Sequence, residues 1–251
     1  MWGLAAAFFA TALLYASVGF AGGSTYTALL LLVGVKQAIL PVIALLCNLI
    51  VSTGGSIRFA RAGLVPWRRL WPLLAVSVPA ALIGGMLPVS KTVFVVLLGG
   101  SLIVAGMLLL VQREPRERGD EQRRFAFVGP AIAAPLGLLA GVVGIGGGIF
   151  LAPVLHLIGW DRAKRVAASA SVFILANSIA GLIGQLIKSG ANAVMSQAVL
   201  AYWSLAVAVL IGGQIGSRAG VQILPPPLLR RLTAVLIIFA ALYLFWKTFG
   251  S

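Results

Sequence analysis

The sequence predicts an all-α, polytopic membrane protein built from two inverted repeats, each a glycine-broken, re-entrant-like helical hairpin followed by three transmembrane helices. Three observations predict this fold class. Of the 251 residues, 61% are hydrophobic and only 10% are charged, and the mean hydropathy is +1.07, so the chain has too little polar surface to cover a soluble domain. A glycine-rich phrase, at residues 19–23, interrupts an apolar run and recurs 125 residues later, at residues 144–148. The basic residues lie mainly at the ends of apolar segments.

The apolar runs divide the chain into two similar halves. Apolar stretches of about 20 residues cross roughly 30 Å of hydrocarbon as helices, whereas a membrane barrel would show short alternating strands. The second segment of each half is shorter, and about ten helical residues rise only about 15 Å, so we expect it to reach only the middle of the bilayer. In chain order the predicted segments are 2–18, 24–34, 37–58, 67–86 and 92–111, then 125–143, 149–158, 164–187, 194–215 and 229–248.

Residues 112–124 are the long hydrophilic stretch of the chain, and they are predicted to form a solvated linker. They hold five arginines and four of the five acidic residues; the fifth is Asp161. The predicted domains are therefore a first membrane repeat at 1–111, the linker at 112–124 and a second membrane repeat at 125–251.

The repeat extends beyond the glycine phrases. Gly34 and Gly159 are also 125 residues apart, while Asn48 and Asn177 are 129 residues apart. The four additional residues make about one helical turn, so both asparagines are expected to point from equivalent helix faces.

The placement of lysine and arginine predicts the orientation, because cytoplasmic loops collect these residues. Basic clusters at residues 58–69 and 162–165 both fall inside only if the chain enters the membrane at 125 and returns to the same side by about 160. The glycine-broken segment is therefore predicted to be a hairpin, and the two halves to be inverted. Both termini are then extracytoplasmic and the linker is cytoplasmic. The lysines predicted to lie outside are Lys36, Lys91, Lys188 and Lys247.

The two glycine phrases predict a binding site near the bilayer midplane. A helix that begins there leaves backbone N–H groups unpaired, and its N-terminus carries about half a positive charge, which suits an anion. Close packing of helices through small residues is the alternative interpretation. Two copies before two short helices favour a site, because broken helices at matching positions are typical of transporters. The predicted substrate-binding residues are Gly19, Gly22, Gly23, Ser24, Thr25, Asn48, Gly144, Gly146, Gly147, Gly148 and Asn177.

Further polar residues are expected inside the bundle, some of them as interhelical contacts rather than ligand contacts. They are Ser52, Thr53, Ser56, Ser178 and Gln185.

The positions of the acidic residues predict the sign of the substrate's charge. No carboxylate lies in an apolar segment, whereas cation carriers usually keep one there, so an anion is favoured. The glycine phrases are not followed by the Lys-Ser/Thr of a nucleotide-binding loop. The net charge of +14 is interpreted as basic residues that mark cytoplasmic loops, not as a nucleic-acid-binding surface. No catalytic cluster, metal site or cofactor is predicted, and the single Cys47 is read as a packing residue.

Several functions stay open at this point. Outward movement of an anion gains about 2.3 kcal/mol per charge per 100 mV, so an exporter needs no coupling ion. The alternatives are a passive anion channel and a concentrative importer coupled to protons, for which His156 is the conventional candidate. A membrane enzyme or an assembly subunit is less favoured. The expected partners are a small anion and the lipid bilayer, not nucleic acid, and a homodimer stays open.

Residues 141–155, Gly-Val-Val-Gly-Ile-Gly-Gly-Gly-Ile-Phe-Leu-Ala-Pro-Val-Leu, resemble the glycine-rich signature of the sulfite exporter TauE/SafE family, also called TSUP permeases. The resemblance covers nearly the whole chain. It implies a multi-pass transporter of the bacterial inner (cytoplasmic) membrane for sulfite, sulfoacetate or related organosulfonates. The first copy departs from the signature, since Ala21 replaces a glycine and Ala28 stands opposite Pro153. We call residues 19–23 with the start of the following helix the first tip, and residues 144–148 with the start of theirs the second tip. The second tip is therefore the safer site assignment, and the first tip is where substrate preference is expected to be set.

The predicted orientation can be tested by labelling. In a chain whose Cys47 is replaced, a cysteine introduced as Ser251→Cys should react with a membrane-impermeant maleimide added outside the cell, because that end is predicted to be extracytoplasmic. Protection of that cysteine until the cells are lysed would contradict the inverted arrangement.

Overall fold

The computed structural model describes residues 2–17, 19–111, 121–158, 160–189 and 191–219, together with residues 234, 235, 238, 241, 242, 245 and 246. The described ranges form nine α-helices and no strand. The helices are α1 (Trp2–Ser17), α2 (Gly23–Leu32), α3 (Leu40–Arg61), α4 (Trp67–Met86), α5 (Lys91–Val111), α6 (Glu121–Val143), α7 (Gly148–Leu157), α8 (Ala163–Ser189) and α9 (Ala191–Ala219). Most of the predicted segment 229–248 lies outside the described residues.

Several of these helices have the dimensions of membrane spans. By length and composition, four helices within the described residues can cross a bilayer: Leu40–Arg61, Trp67–Met86, Lys91–Leu110 and Ala163–Ser189. Helices α2 and α7 each have only 10 residues. The all-helical, polytopic fold class is therefore confirmed, with both short helices where the sequence predicts them.

Two helix boundaries differ from the prediction. Helix α3 begins at Leu40 rather than at residue 37, because Pro41 lies in its first turn, where its missing N–H costs no helical hydrogen bond. Helix α6 begins at Glu121, so the last four residues assigned to the linker 112–124 are helical. Glu, Gln and Arg are good helix formers, and hydropathy does not detect a helix that begins with them. Residues 112–120 lie outside the described residues.

The basic clusters 58–69 and 162–165 lie at one end of the molecule, here called the arginine end. Arg69 Nη1 lies 3.6 Å from Asp161 Oδ2 and donates to the carbonyl of Trp160 at 3.2 Å. Arg165 Nη1 also lies 3.6 Å from Asp161 Oδ2. Near the last turn of α3, Arg58 donates to Gln214 of α9 at 2.7 Å.

The opposite end, here called the lysine end, carries lysines in place of arginines. Lys188 Nζ donates to the carbonyl of Leu87 at 3.4 Å, and Gln37 Nε2 donates to the carbonyl of Val89 at 3.2 Å. These bonds join the end of α8 and the α2–α3 connection to the α4–α5 connection. Helices α3 and α8 therefore run in opposite directions between the two ends.

Glycine permits close contact between helices of different halves. A Cβ on Gly137 or Gly141 of α6 would collide with the backbone carbonyls of Ser77 and Ala81 of α4. The order of these contacts shows that α4 and α6 run parallel. Without side chains in between, the backbones approach closely, which is a common basis of helix association in membranes.

Helices α1 and α9 pack in the same manner. A Cβ on Gly212 or Gly216 of α9 would meet the carbonyls of Phe9 and Leu13 of α1, again in parallel order. Thus the first helix of each half packs against the fourth helix of the other half.

The α4–α6 contact can be tested with one added methyl group. Gly141→Ala should destabilise the protein by about 1–3 kcal/mol, because the new Cβ forces the two backbones apart. Thermal unfolding in detergent measures the effect. Gly100→Ala on α5 is the matched control, since a Cβ there meets nothing within 4 Å and should leave stability unchanged or raise it by up to about 1 kcal/mol. Equal unfolding temperatures for the two variants would contradict this account of the packing.

Candidate functional site

The two glycine phrases have matching backbone conformations. Gly19 and Gly144 have φ of +85° and +79°, and Gly22 and Gly147 have φ of +90° and +75°. Side chains other than hydrogen are strained at such angles, which explains glycine at these positions. Helices α2 and α7 begin at the next residue, Gly23 and Gly148. The offset of 125 residues therefore holds for the helix starts as well as for the glycines.

The phrases differ at one position. Gly146 has φ of +78°, in the left-handed region. Its counterpart in the first phrase, Ala21, does not have a positive φ, because every described residue with a positive φ is a glycine. The departure of the first copy from the family signature thus corresponds to a different backbone path. The two tips are not copies of one another.

Both tips leave backbone donors without protein acceptors. The first backbone bond in α2 runs from the N–H of Tyr26 to the carbonyl of Gly22 at 3.0 Å, and in α7 from Phe150 to Gly147 at 3.2 Å. Neither helix has a side-chain cap at its N-terminus. Among the described residues, the N–H groups of 23–25 and of 148–149 therefore have no acceptor. Such buried donors at a helix start are suited to hold an anion.

Asn48 of α3 contacts both tips. Its side chain is fully buried, and its Nδ2 donates to the carbonyl of Gly144 at 3.3 Å. A Cβ on Gly23 would collide with this amide, and a Cβ on Gly146 would lie 3.1 Å from Nδ2. Its Oδ1 has no hydrogen-bond partner within the described residues. One side chain thus lies between the first and second tips.

The C-terminal carbonyls of α6, immediately before the second tip, are each matched by a donor. Gln185 Nε2 donates to Gly141 at 2.8 Å and reaches Val142 at 3.4 Å. Thr27 Oγ1 of α2 shares its one proton between the carbonyl of Gly23 at 2.9 Å and that of Val143 at 3.3 Å. Asn48 donates to Gly144. These donors offset the partial negative charge of a helix C-terminus, which would otherwise repel an anion.

Asn177 does not repeat the contacts of Asn48. It is fully buried, but its Nδ2 donates to the carbonyl of Phe173 in its own helix at 2.8 Å. The next residue, Ser178, lies at the second tip instead, with Oγ 3.0 Å from the Cβ position on Gly146. Ser178 Oγ has no partner among the described residues. The 129-residue offset identified the right turn of α8, but the polar group at the tip is one position further along.

The first tip is the more polar of the two. Thr25 Oγ1 and the Tyr15 hydroxyl share a hydrogen bond of 2.8 Å, and Ser24 Oγ is buried with no partner in the described part of the chain. Tyr26 stacks on Phe8 with ring centroids 4.6 Å apart, which fixes α2 against α1. Apolar Ile149 and Phe150 follow the second tip. Tyr15 and Thr27 were not among the predicted site residues, because only their contacts across helices distinguish them from ordinary polar side chains.

His156, the residue considered for proton coupling, is not at the tips. It lies near the end of α7, in the last turn and away from the tip. Among the described residues, no group of three His, Cys, Asp or Glu side chains could hold a metal ion.

Relatives with similar sequences are named probable membrane transporter proteins. The pattern of the sulfite exporter TauE/SafE family matches residues 4–244. A probable membrane transporter protein, y4hK, of Sinorhizobium fredii is 35% identical over 97% of this chain and 98% of its own length. A probable membrane transporter protein of Xylella fastidiosa is 26% identical over 78% of this chain and 75% of its own length. No solved structure matches the chain.

The role of Asn48 in holding the tips can be measured as stability. Asn48→Ala should lower the free energy of unfolding by about 1–3 kcal/mol, because the buried carbonyl of Gly144 loses its donor. Thr53→Ala is the control on the same helix, since Thr53 is exposed and bonds only to Leu49 of its own helix. Thermal unfolding in detergent compares them. A smaller loss for Asn48→Ala than for Thr53→Ala would contradict the assigned contact.

Proposed function

Because this chain belongs to the sulfite exporter TauE/SafE family and is therefore a membrane transporter, we propose that it exports small sulfur-containing anions, such as sulfite or organosulfonates. The anion binds between the two glycine tips, at the starts of α2 and α7. The observation that carries the proposal is the pair of buried helix starts with unpaired N–H groups on either side of Asn48. A sulfite or sulfonate group has three oxygens, which can accept several of these donors at once.

The charges of the described residues favour an anion. Asp161 lies at the arginine end, where it pairs with Arg69 and Arg165. The other four acidic residues of the chain fall at positions 114–121. Glu121 begins α6, at the opposite end of that 23-residue helix from the second tip, so a cation at the tips would have no carboxylate nearby. An anion there meets the positive ends of α2 and α7.

An inverted relation between the halves is supported by helix directions. Helices α3 and α8 run oppositely, and each half contributes its first helix to a parallel pair with the fourth helix of the other half. Since α6 runs parallel to α4, which begins at the arginine end, α6 and α7 leave from and return towards that end, where Trp160 contacts Arg69. By the same reasoning α1 and α2 leave from and return towards the lysine end. Opposed hairpins around one site are the usual basis of alternating access.

Burial of the tips favours a carrier over an open pore. Ser24, Thr25, Asn48 and Ser178 are all buried. An anion held there is closed off from both sides in this conformation, so a conformational change must precede its release. We place the protein in the bacterial inner membrane with the arginine end cytoplasmic, because basic residues are enriched on that side. Outward movement of an anion is then favoured by the membrane potential.

Flux measurements in liposomes test the proposal. Purified protein should move sulfite or a small sulfonate with saturable kinetics. Gly147→Leu should abolish this transport while the protein still folds, because its Cβ, at φ of +75°, would lie 3.0 Å from Phe173 Cε1 and its side chain would fill the tip. Gly34→Leu is the matched control, since Gly34 also has a positive φ, +81°, but a Cβ there meets nothing within 4 Å.

Each result has a distinct meaning. Undiminished flux in Gly147→Leu, with a normal wild type, would remove the second tip from the site. Flux that does not saturate would support a channel, and flux that requires a proton gradient would support a coupled importer. Absence of any sulfite or sulfonate flux in the wild type would contradict the proposed substrate class.

A further inference from the structure

A cavity of about 240 Å³ lies at the lysine end, next to the second tip. It is lined by residues of the α2–α3 and α4–α5 connections, by the first turns of α3 and α5, and by the ends of α6 and α8. Small-molecule sites have volumes of about 300–1,000 Å³, so this cavity is smaller than most and has room only for a ligand of a few heavy atoms. No residue predicted from the sequence as substrate-binding lines it.

The floor of this cavity belongs to the second tip. Val142 lines the cavity and lies two residues before Gly144 in the chain. Pro41 also lines the cavity and packs against Gly144, since a Cβ added to Gly144 would lie 2.8 Å from Pro41 Cα. Gln185 holds this segment in place through the carbonyls of Gly141 and Val142. A ligand in the cavity is therefore separated from the tips by one layer of residues, which are themselves part of the tip.

The polar groups of the cavity are donors. Lys188 Nζ uses one of its three protons on the carbonyl of Leu87, which leaves two for a ligand. Gln37 and Ser189 also line the cavity. Lys36 precedes Gln37, and Lys91 follows Val89 by two residues, so two more cations flank the opening. The described residues at this end include no carboxylate, and a charge field of one sign concentrates anions.

The rest of the wall is apolar. Phe94, Pro41, Val89 and Val142 contribute it, opposite a single lysine. A bare oxyanion would satisfy Lys188 but would leave this apolar surface without a partner. An anion with a short hydrocarbon chain satisfies both, because burial of each methylene adds favourable free energy.

We infer that this cavity is an outer binding site for a short-chain organosulfonate, with Lys188 bound to the sulfonate group and Phe94 and Val142 against the hydrocarbon chain. The inference rests on the proposed function and narrows its substrate class, since it favours an organosulfonate over free sulfite. It also adds a second position on the transport path, between the lysine end and the tips.

Binding measurements on the purified full chain test this site, with sulfite, methanesulfonate and ethanesulfonate as ligands. Wild-type affinity should rise by a few-fold from methanesulfonate to ethanesulfonate, which adds one methylene, and sulfite, which has no hydrocarbon chain, should bind more weakly than either. Lys188→Gln should weaken ethanesulfonate binding by about fivefold to tenfold, and Lys188→Arg should restore most of the loss. Lys91→Gln is the matched comparison and should lose less affinity, because Lys91 is exposed at the same end and adds to the positive field but does not line the cavity.

A second variant tests the volume without changing the charge. Ala38 lines the cavity and is exposed, so Ala38→Phe should fold and should block ethanesulfonate by filling the space. Equal losses for Lys188→Gln and Lys91→Gln, or unchanged binding in both Lys188→Gln and Ala38→Phe, would overturn the inference. So would displacement of ethanesulfonate by added phosphatidylglycerol, since the cavity would then be a lipid headgroup site.

Failure of this inference is distinguishable from failure of the proposed function. If wild-type liposomes move sulfonates but Lys188→Gln and Ala38→Phe move them equally well, the outer site is wrong and the tips remain the binding site. If the wild type moves neither sulfite nor sulfonates, the proposed function itself fails.

Discussion

The arrangement depends on one constraint: a helix broken inside an apolar bundle must find partners for the backbone groups that the break leaves unpaired. On the carbonyl side of the second break the protein supplies them, through Gln185, Thr27 and Asn48. On the amide side, the first N–H groups of α2 and α7 have no acceptor among the described residues. This difference sets the charge of the ligand that the site favours. The unpaired groups are N–H donors, and an anion can accept their hydrogen bonds.

Glycine serves two separate purposes in the chain. At Gly22 and Gly147 it permits a left-handed backbone immediately before a helix. At Gly141 and Gly216 it permits contact between helices of different halves, with no side chain between the backbones. The second use brings the helix pairs around the tips into close backbone contact. The ends differ, since the arginine end is tied by Asp161 to Arg69 and Arg165, whereas the lysine end contains a cavity.

Much of the fold could be predicted from the sequence, and less of the site. Hydropathy located α4 at residues 67–86, and the glycine repeat located the starts of α2 and α7 to within one residue. Hydropathy could not locate the start of α6, where charged helix formers begin the helix. Asn48 contacts both tips, whereas Asn177 bonds within α8 and Ser178 takes the contact with Gly146. Such details depend on the rotation of one helix against another, which an offset between two residues does not determine.

The central claim is that the unpaired N–H groups of the two tips bind the anion. A structure determined with ethanesulfonate at saturating concentration tests it most directly. The account predicts sulfonate oxygens within about 2.7–3.2 Å of backbone nitrogens at the starts of both α2 and α7. An anion bound elsewhere, with the N–H groups of Ser24 and Ile149 paired to protein carbonyls, would contradict it.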